Sequence, residues 1–222
     1  LTKSALIIRI KILLLWPNIV FLLKLYYSNF KKLTDELISW YTKNKRDLPW
    51  RKTSDPYKIW VSEIILQQTQ IKKGIDYYLN FIKKFPNIGT LAKSDDIKIL
   101  NVWKGLGYYN RALNMLSAAK IVMANYNGLL PKQYKNLIKL KGVGEYTASA
   151  ISSICNNEQR AVVDGNVYRV LSRIYNIEEP INSSKGKKTY SDLANRFVPK
   201  KNPGIYNQAI MDFGSLQCRP QS

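Results

Sequence analysis

Two carboxylates stand out by their surroundings. Glu63 is the only charged side chain between Lys58 and Lys72, and it sits within Ile59-Trp60-Val61-Ser62-Glu63-Ile64-Ile65-Leu66. A carboxyl on so apolar a helix has its pKa raised by desolvation and can stay protonated near neutrality, the profile of a general acid. Asp164 precedes a helix that starts near Asn166, where N–H groups and the helix dipole favour the ionised form. One neutral acid and one ionised carboxylate suit a reaction through an oxocarbenium-like transition state. The first protonates the leaving group and the second stabilises the sugar cation, and an N-glycosidic bond in DNA breaks in this way. Each residue alone has a plainer reading: Glu63 as a helix-edge acid facing solvent or paired with Lys or Arg, and Asp164 as an ordinary N-cap. The chain contains no histidine, which excludes His-based catalysis and His metal ligands and leaves acid–base work to carboxylates, Tyr or Lys.

A second feature is the run Leu140-Lys141-Gly142-Val143-Gly144-Glu145-Tyr146-Thr147-Ala148. Two glycines around one apolar residue predict a tight turn with φ > 0 between two helices. The unobstructed N–H groups of Gly142 and Gly144 would meet the N-terminus of the next helix, a ready site for an anion such as a DNA phosphate. Many Gly-Val-Gly turns only join helices, so the motif takes its weight from what surrounds it.

The elements that must hold these residues are helical. Phe30, Leu33, Leu37, Trp40 and Tyr41 form one apolar stripe, broken by Asp47-Leu48-Pro49-Trp50. The 3.6-residue period predicts further helices over 59–66, 71–85, 111–125, 146–154, 187–197 and 205–213, with one starting at Ser94-Asp95-Asp96 and stopping before Gly105 and one following Asp164-Gly165-Asn166. Strand alternation is nearly absent, so the fold class is all-α. Lys plus Arg is 35 against 15 Asp plus Glu in 222 residues, a net charge of +20. Such a surplus favours a polyanionic partner, although a genome that overuses Lys, Ile and Asn would raise it too. Cys155 and Cys218 are too few for a disulfide framework, so a reducing cytoplasm is the expected setting. Residues 1–27 are apolar and basic with no acidic residue; the longest uncharged run, 12–23, contains Pro17-Asn18. That is short of the ~20 apolar residues of a spanning helix, and no small-x-small cleavage site follows. This stretch reads as an extension outside the fold, with a membrane anchor as the minor alternative.

The helix–Gly-Val-Gly–helix unit followed some 20 residues later by Asp164 resembles the helix-hairpin-helix DNA glycosylase superfamily. Within it, Leu48-Pro49-Trp50-Arg51, Ser62-Glu63-Ile64-Ile65-Leu66-Gln67-Gln68-Thr69-Gln70, Gly105-Leu106-Gly107-Tyr108-Tyr109 and Asp164-Gly165-Asn166-Val167 resemble the adenine DNA glycosylases, over about residues 28–222. The resemblance implies a two-lobed fold, with a helical barrel over 49–159 carrying the hairpin and a second lobe from 28–48 plus 160–222. It implies removal of adenine mispaired with 8-oxoguanine or guanine in double-stranded DNA by a chain acting as a monomer, without a membrane. Glu63 would protonate adenine at N7 and then handle the water. Asp164 would stabilise or trap the sugar cation, with Asn166 beside it. Tyr146 stands where strand-cutting relatives carry Lys; a phenol cannot form the Schiff base that a neutral amine forms, so a monofunctional glycosylase is expected. Gln68 and Tyr108 would wedge into the gap left by the extruded base, with Thr69, Gln70 and Leu106 beside them at the mispair. Trp50 and Arg51 would border the adenine pocket, while Gly142, Gly144 and Lys141 face phosphate.

The chain departs from the pattern at its end. The resemblance implies four cysteines holding a [4Fe–4S] cluster, yet only Cys218 matches, and one thiolate cannot hold such a cluster. The C-terminal domain that helps read 8-oxoguanine is absent as well, so the sequence reads as truncated. Two rival readings remain: an endonuclease III-like glycosylase/lyase for oxidised pyrimidines, against which Tyr146 speaks, and a non-catalytic helix-hairpin-helix DNA-binding remnant.

Overall fold

The computed structural model describes residues 18–219, with side chains from residue 31. Eleven α-helices and one 3-10 turn account for the regular structure of these residues, and none of them forms a strand. In chain order the helices are α1 Asn18–Asn44, α2 Pro56–Leu66, α3 Ile71–Lys84, α4 Ile88–Ala92, α5 Asp96–Trp103, α6 Asn110–Asn125, α7 Tyr134–Leu137, α8 Glu145–Asn156, α9 Gly165–Tyr175, α10 Ser184–Phe197 and α11 Pro203–Leu216. The 3-10 turn, Pro49–Arg51, lies between α1 and α2. Of the apolar stretch expected outside the fold, residues 1–17 lie outside the described residues, while 18–27 continue into α1. None of the described helices is long and apolar enough to cross a membrane.

The apolar side chains gather into two clusters. The first is built by α2 to α8, with Trp60, Phe81, Trp103, Leu116, Leu137 and Ile151 at its centre. The second is built by α9, α10 and α11, with Val170, Leu171, Tyr190, Phe197 and Ile210 buried and Leu33 and Leu37 of α1 packed against them. The two cores define two lobes, one of α2 to α8 and one of α9 to α11 with α1 against it. Burying a large apolar side chain contributes about 1.5–3 kcal/mol, so each core can hold its helices although many are too short to be stable alone.

Helix boundaries follow local chemistry. Asp55 caps α2, its carboxylate accepting from the Tyr57 N–H at 2.9 Å, with Pro56 in the first turn where no N–H is needed. Asp95 caps α5 by accepting from Lys98 N–H at 2.7 Å. Asn87 and Thr90 form a reciprocal capping box that starts α4.

Helix α11 joins the lobes. A Cβ on Gly204 would meet the Ile154 backbone at 2.7 Å, so only glycine lets the start of α11 lie against α8. Next to it, buried Asn207 accepts from the Val162 N–H at 3.1 Å and donates to the Arg160 carbonyl at 2.8 Å and to Ser153 Oγ at 3.0 Å. Trp40 of α1 meets Phe213 of α11 edge to face, with ring centroids 5.2 Å apart.

Candidate active site

Between the lobes lies a cavity of about 370 Å³, lined among others by Trp50, Arg51, Glu63, Tyr146, Asp164 and Asn166. All six were singled out from sequence, and the fold brings them to one place from the 3-10 turn, α2, α8 and the start of α9. The volume lies within the roughly 300–1,000 Å³ of small-ligand pockets.

Glu63 sits on the cavity side of α2. Six of the residues from Tyr57 to Ile65 on that helix are buried apolar side chains. Its carboxyl makes no hydrogen bond or ion pair among the described residues. Burial, with the negative charge of Asp164 adding to it and the positive charge of Arg51 opposing it, pushes the Glu63 pKa up to about 7. The acid is therefore poised to deliver a proton near neutrality. Trp50, a buried residue of the cavity wall, is held edge to face against Tyr78 with ring centroids 5.3 Å apart.

Asp164 caps α9, and the cap orients it. Oδ1 accepts from the N–H groups of Asn166 at 2.9 Å and Val167 at 2.8 Å, and Oδ2 accepts from Asn166 Nδ2 at 2.8 Å. Being an N-cap thus positions the carboxylate at the cavity instead of excluding a chemical role. Asn166 is fixed in turn, since its Oδ1 accepts from Arg169 Nη2 at 2.8 Å. Arg169 also donates to the Gly214 carbonyl at 2.7 Å, tying the start of α9 to the end of α11. A Cβ on Gly214 would strike Asn166 Cβ at 2.7 Å, so glycine is needed for this approach.

Tyr146, on α8, donates its hydroxyl to Met211 Sδ at 3.3 Å. Burial, then the nearby Glu63 and Asp164 charges, raise its pKa well above the ordinary phenol value. The position therefore offers the cavity a neutral hydroxyl.

Arg51 borders the cavity, but its guanidinium is committed. It pairs with the fully buried carboxylate of Asp212 through both nitrogens, at 2.8 Å for Nη2 to Oδ1, and Arg46 joins the same carboxylate through Nε at 2.8 Å. Burial disfavours the charge on Asp212, but hydrogen bonds and charge from Arg51 and Arg46 outweigh it and hold the carboxyl below its ordinary value. Asp212, Arg46 and Arg169 were not singled out from sequence. Their signal was weak, because Asp212 and Arg46 meet 166 residues apart in the chain and Arg169 reaches Gly214 across 45.

The hairpin runs from α7 to α8. Gly142 has φ +79 and packs so closely that a Cβ would meet Asn114 Cβ at 2.8 Å. Gly144 differs from the expected φ > 0: it is extended at φ −88, ψ 178, and forms the N-cap of α8. Its neighbourhood is open, with nothing within 4 Å of an added Cβ. The Val143 side chain is buried and its N–H closes the turn onto the Leu140 carbonyl at 3.1 Å. Lys139, Lys141, Gly142 and Gly144 are exposed beside the N-terminus of α8, the arrangement that attracts a phosphate.

Two further loops carry residues singled out from sequence, and the first of them borders the cavity. Gln67 and Thr69 line it, while Gln68 between them is exposed with φ +58. Gln70 is exposed as the residue preceding α3. Tyr108 is 66% exposed with φ +48. Non-glycine residues rarely adopt this conformation, and it costs of order 1–3 kcal/mol each. Leu106, expected beside them at the mispair, is buried in the first cluster, where an apolar side chain between two loop glycines finds more contact than in water.

The cysteines do not fit a [4Fe–4S] cluster. Cys218 lies beyond α11, where its sulfur accepts from Arg173, and Cys155 packs against the first core. Among the described residues no group of three or more His, Cys, Asp or Glu could hold a metal ion.

Residues 61–197 match the family model described as HhH-GPD superfamily base excision DNA repair protein. The chain is similar to an adenine DNA glycosylase of Buchnera aphidicola subsp. Baizongia pistaciae, with 44% identity over 183 residues, 82% of this chain and 52% of that protein. It thus spans about half the length of such curated relatives. In structure it is similar to a thermostable thymine-DNA glycosylase, with a TM-score of 0.80 at 29% identity over 88% of this chain and 90% of that one. A non-covalent endonuclease III–DNA complex shares the fold, with a TM-score of 0.73 at 20% identity over 88% of each chain.

Proposed function

Because the chain belongs to the HhH-GPD superfamily of base excision DNA repair proteins, we propose that it is a monofunctional DNA N-glycosylase that removes adenine mispaired with 8-oxoguanine or guanine. The observation that carries the reading is the shared cavity holding Glu63, its pKa near 7, and Asp164, a carboxylate pinned by three donors. The similarity to adenine DNA glycosylases supports the choice of base.

The steps follow from the residues. The +20 chain is drawn to DNA, and the hairpin donors of Gly142 and Gly144 take a backbone phosphate. The target adenine leaves the stack and enters the cavity, with Gln68 and Tyr108 occupying the space it vacates. Glu63 gives its proton to adenine N7, and the base departs with the electrons of the C1′–N9 bond. Asp164 offsets the positive charge that develops on the sugar. Water then adds at C1′ and returns a proton to Glu63, leaving an abasic site. Tyr146 stands at the site in place of an amine, so no Schiff base forms and the strand stays intact until alkali cuts it.

The likeness to a thymine-DNA glycosylase favours a second reading, removal of thymine. One experiment separates them. The chain is incubated with duplexes carrying a single A opposite 8-oxoguanine, A opposite G, or T opposite G. Adenine release with scission only after alkali supports the proposal. Thymine release alone transfers the chemistry to the other base, and an adduct trapped by borohydride contradicts the monofunctional assignment.

A further inference from the structure

The loop of Gln67, Gln68 and Thr69, which borders the cavity, and the loop of Gly105 to Tyr108 are bridged by one side chain. Arg111 of α6 donates through Nη1 to the carbonyls of Ile64 at 2.9 Å, Ile65 at 3.3 Å and Gln67. Through Nη2 it donates to the Leu106 carbonyl at 3.5 Å and the Gly107 carbonyl at 3.2 Å. The first three acceptors are at the C-terminal end of α2, whose last carbonyls have no partner within the helix. The guanidinium also lies over the rings of Trp103 and Tyr108, 5.3 and 5.5 Å from their centroids. No carboxylate pairs with it among the described residues. The 105–107 segment has other ties, from Lys73 to Gly105 and from Trp103 Nε1 to Gly107, but neither reaches the 64–69 segment. Among the described residues Arg111 is the hydrogen-bonding side chain that joins the two.

We infer that Arg111 is a positioning residue: it locks the two exposed left-handed residues, Gln68 and Tyr108, into one spacing, so that both enter the DNA together when the base leaves the stack. A planar fork with donors on two sides serves carbonyls of two segments at once in a fixed geometry, which the compact ammonium of a Lys on its flexible stem does not reproduce. The strained backbone at Gln68 and Tyr108 needs such support, because strained residues persist only where their surroundings over-determine them.

The test uses the full chain and Arg111→Lys, which keeps the charge and the helix. Amide hydrogen exchange is expected to quicken about fivefold or more at 67–69 and 105–109 in the variant and to stay unchanged in the other helices. Unchanged exchange at either loop overturns the inference. A kinetic readout rests on the adenine reading above. Single-turnover adenine release is compared for A opposite 8-oxoguanine and A opposite an abasic-site analogue, where no pair has to be broken. The variant is expected to slow the paired substrate about tenfold more than the unpaired one. Equal slowing of both by a variant whose parent is active overturns the positioning role alone. A parent chain inactive on both overturns the adenine reading instead, and the exchange result still decides the role of Arg111.

Discussion

Glu63 combines two properties that oppose each other. Its raised pKa makes it an acid near neutrality and makes its ionised form costly to the fold. A carboxyl whose folded pKa lies above its unfolded value favours the folded state most below the unfolded value, near 4.5 here, and that contribution is lost as pH rises through about 7. Glu63→Gln removes the titration. It is expected to be more stable than the parent at pH 8 by roughly 1–3 kcal/mol, with the difference shrinking toward pH 5; thermal unfolding at both pH values measures it. Adenine release by the parent should fall as pH rises above about 7, because the protonated form is consumed. A flat profile from pH 6 to 9 would remove Glu63 as the acid. Glu63 and Asp164 were readable in the sequence, one as a lone charge in an apolar run and the other as a helix start. Asp212 was not, since nothing local distinguishes it within α11 and its arginines lie 161 and 166 residues away.

Among the elements, the hairpin offers a contrast between its two glycines. Gly142→Ala would force a Cβ into a left-handed residue and against Asn114 at 2.8 Å. A loss of about 2 kcal/mol or more in unfolding free energy is expected, with weaker duplex binding. Gly144→Ala meets nothing within 4 Å and keeps an ordinary φ, so its cost should stay within about 1 kcal/mol, the worth of a cap. Equal losses from the two would contradict the geometry. The same distinction shows what sequence conveys. The Gly-Val-Gly motif announced a turn, but which glycine needs its freedom depends on Asn114, contributed by another helix. Most helices were readable from period and caps: the helix expected at 71–85 runs from Ile71 to Lys84 and that at 111–125 from Asn110 to Asn125. Helix α4 was missed because five residues are too few to show a period.

Across the molecule, the two lobes are held around the cavity by α11 and by the Arg46–Asp212–Arg51 cluster, which joins the second core to the turn entering the first. Asp212→Asn would leave two arginines facing a buried amide. Breaking such a pair costs about 3–5 kcal/mol, so this variant should unfold earlier and lose activity together with stability, as calorimetry beside single-turnover rates would show. A gain in stability would mean that the cluster does not hold the lobes. The positive charge acts at this scale as well. Affinity for a mispaired duplex should fall linearly on a log–log plot against salt, and a slope near zero would contradict a phosphate grip. The two-lobed arrangement followed from the resemblance, whereas the residues that lock the lobes emerged only once α11 was in place.

The most direct measurement is single-turnover release of adenine opposite 8-oxoguanine at pH 6.5 by the parent chain and by Glu63→Gln, each first shown to be folded. The cavity chemistry predicts release by the parent, scission of the product strand only after alkali, and a loss of at least about 100-fold in the variant. A folded Glu63→Gln that releases adenine as fast as the parent would contradict it.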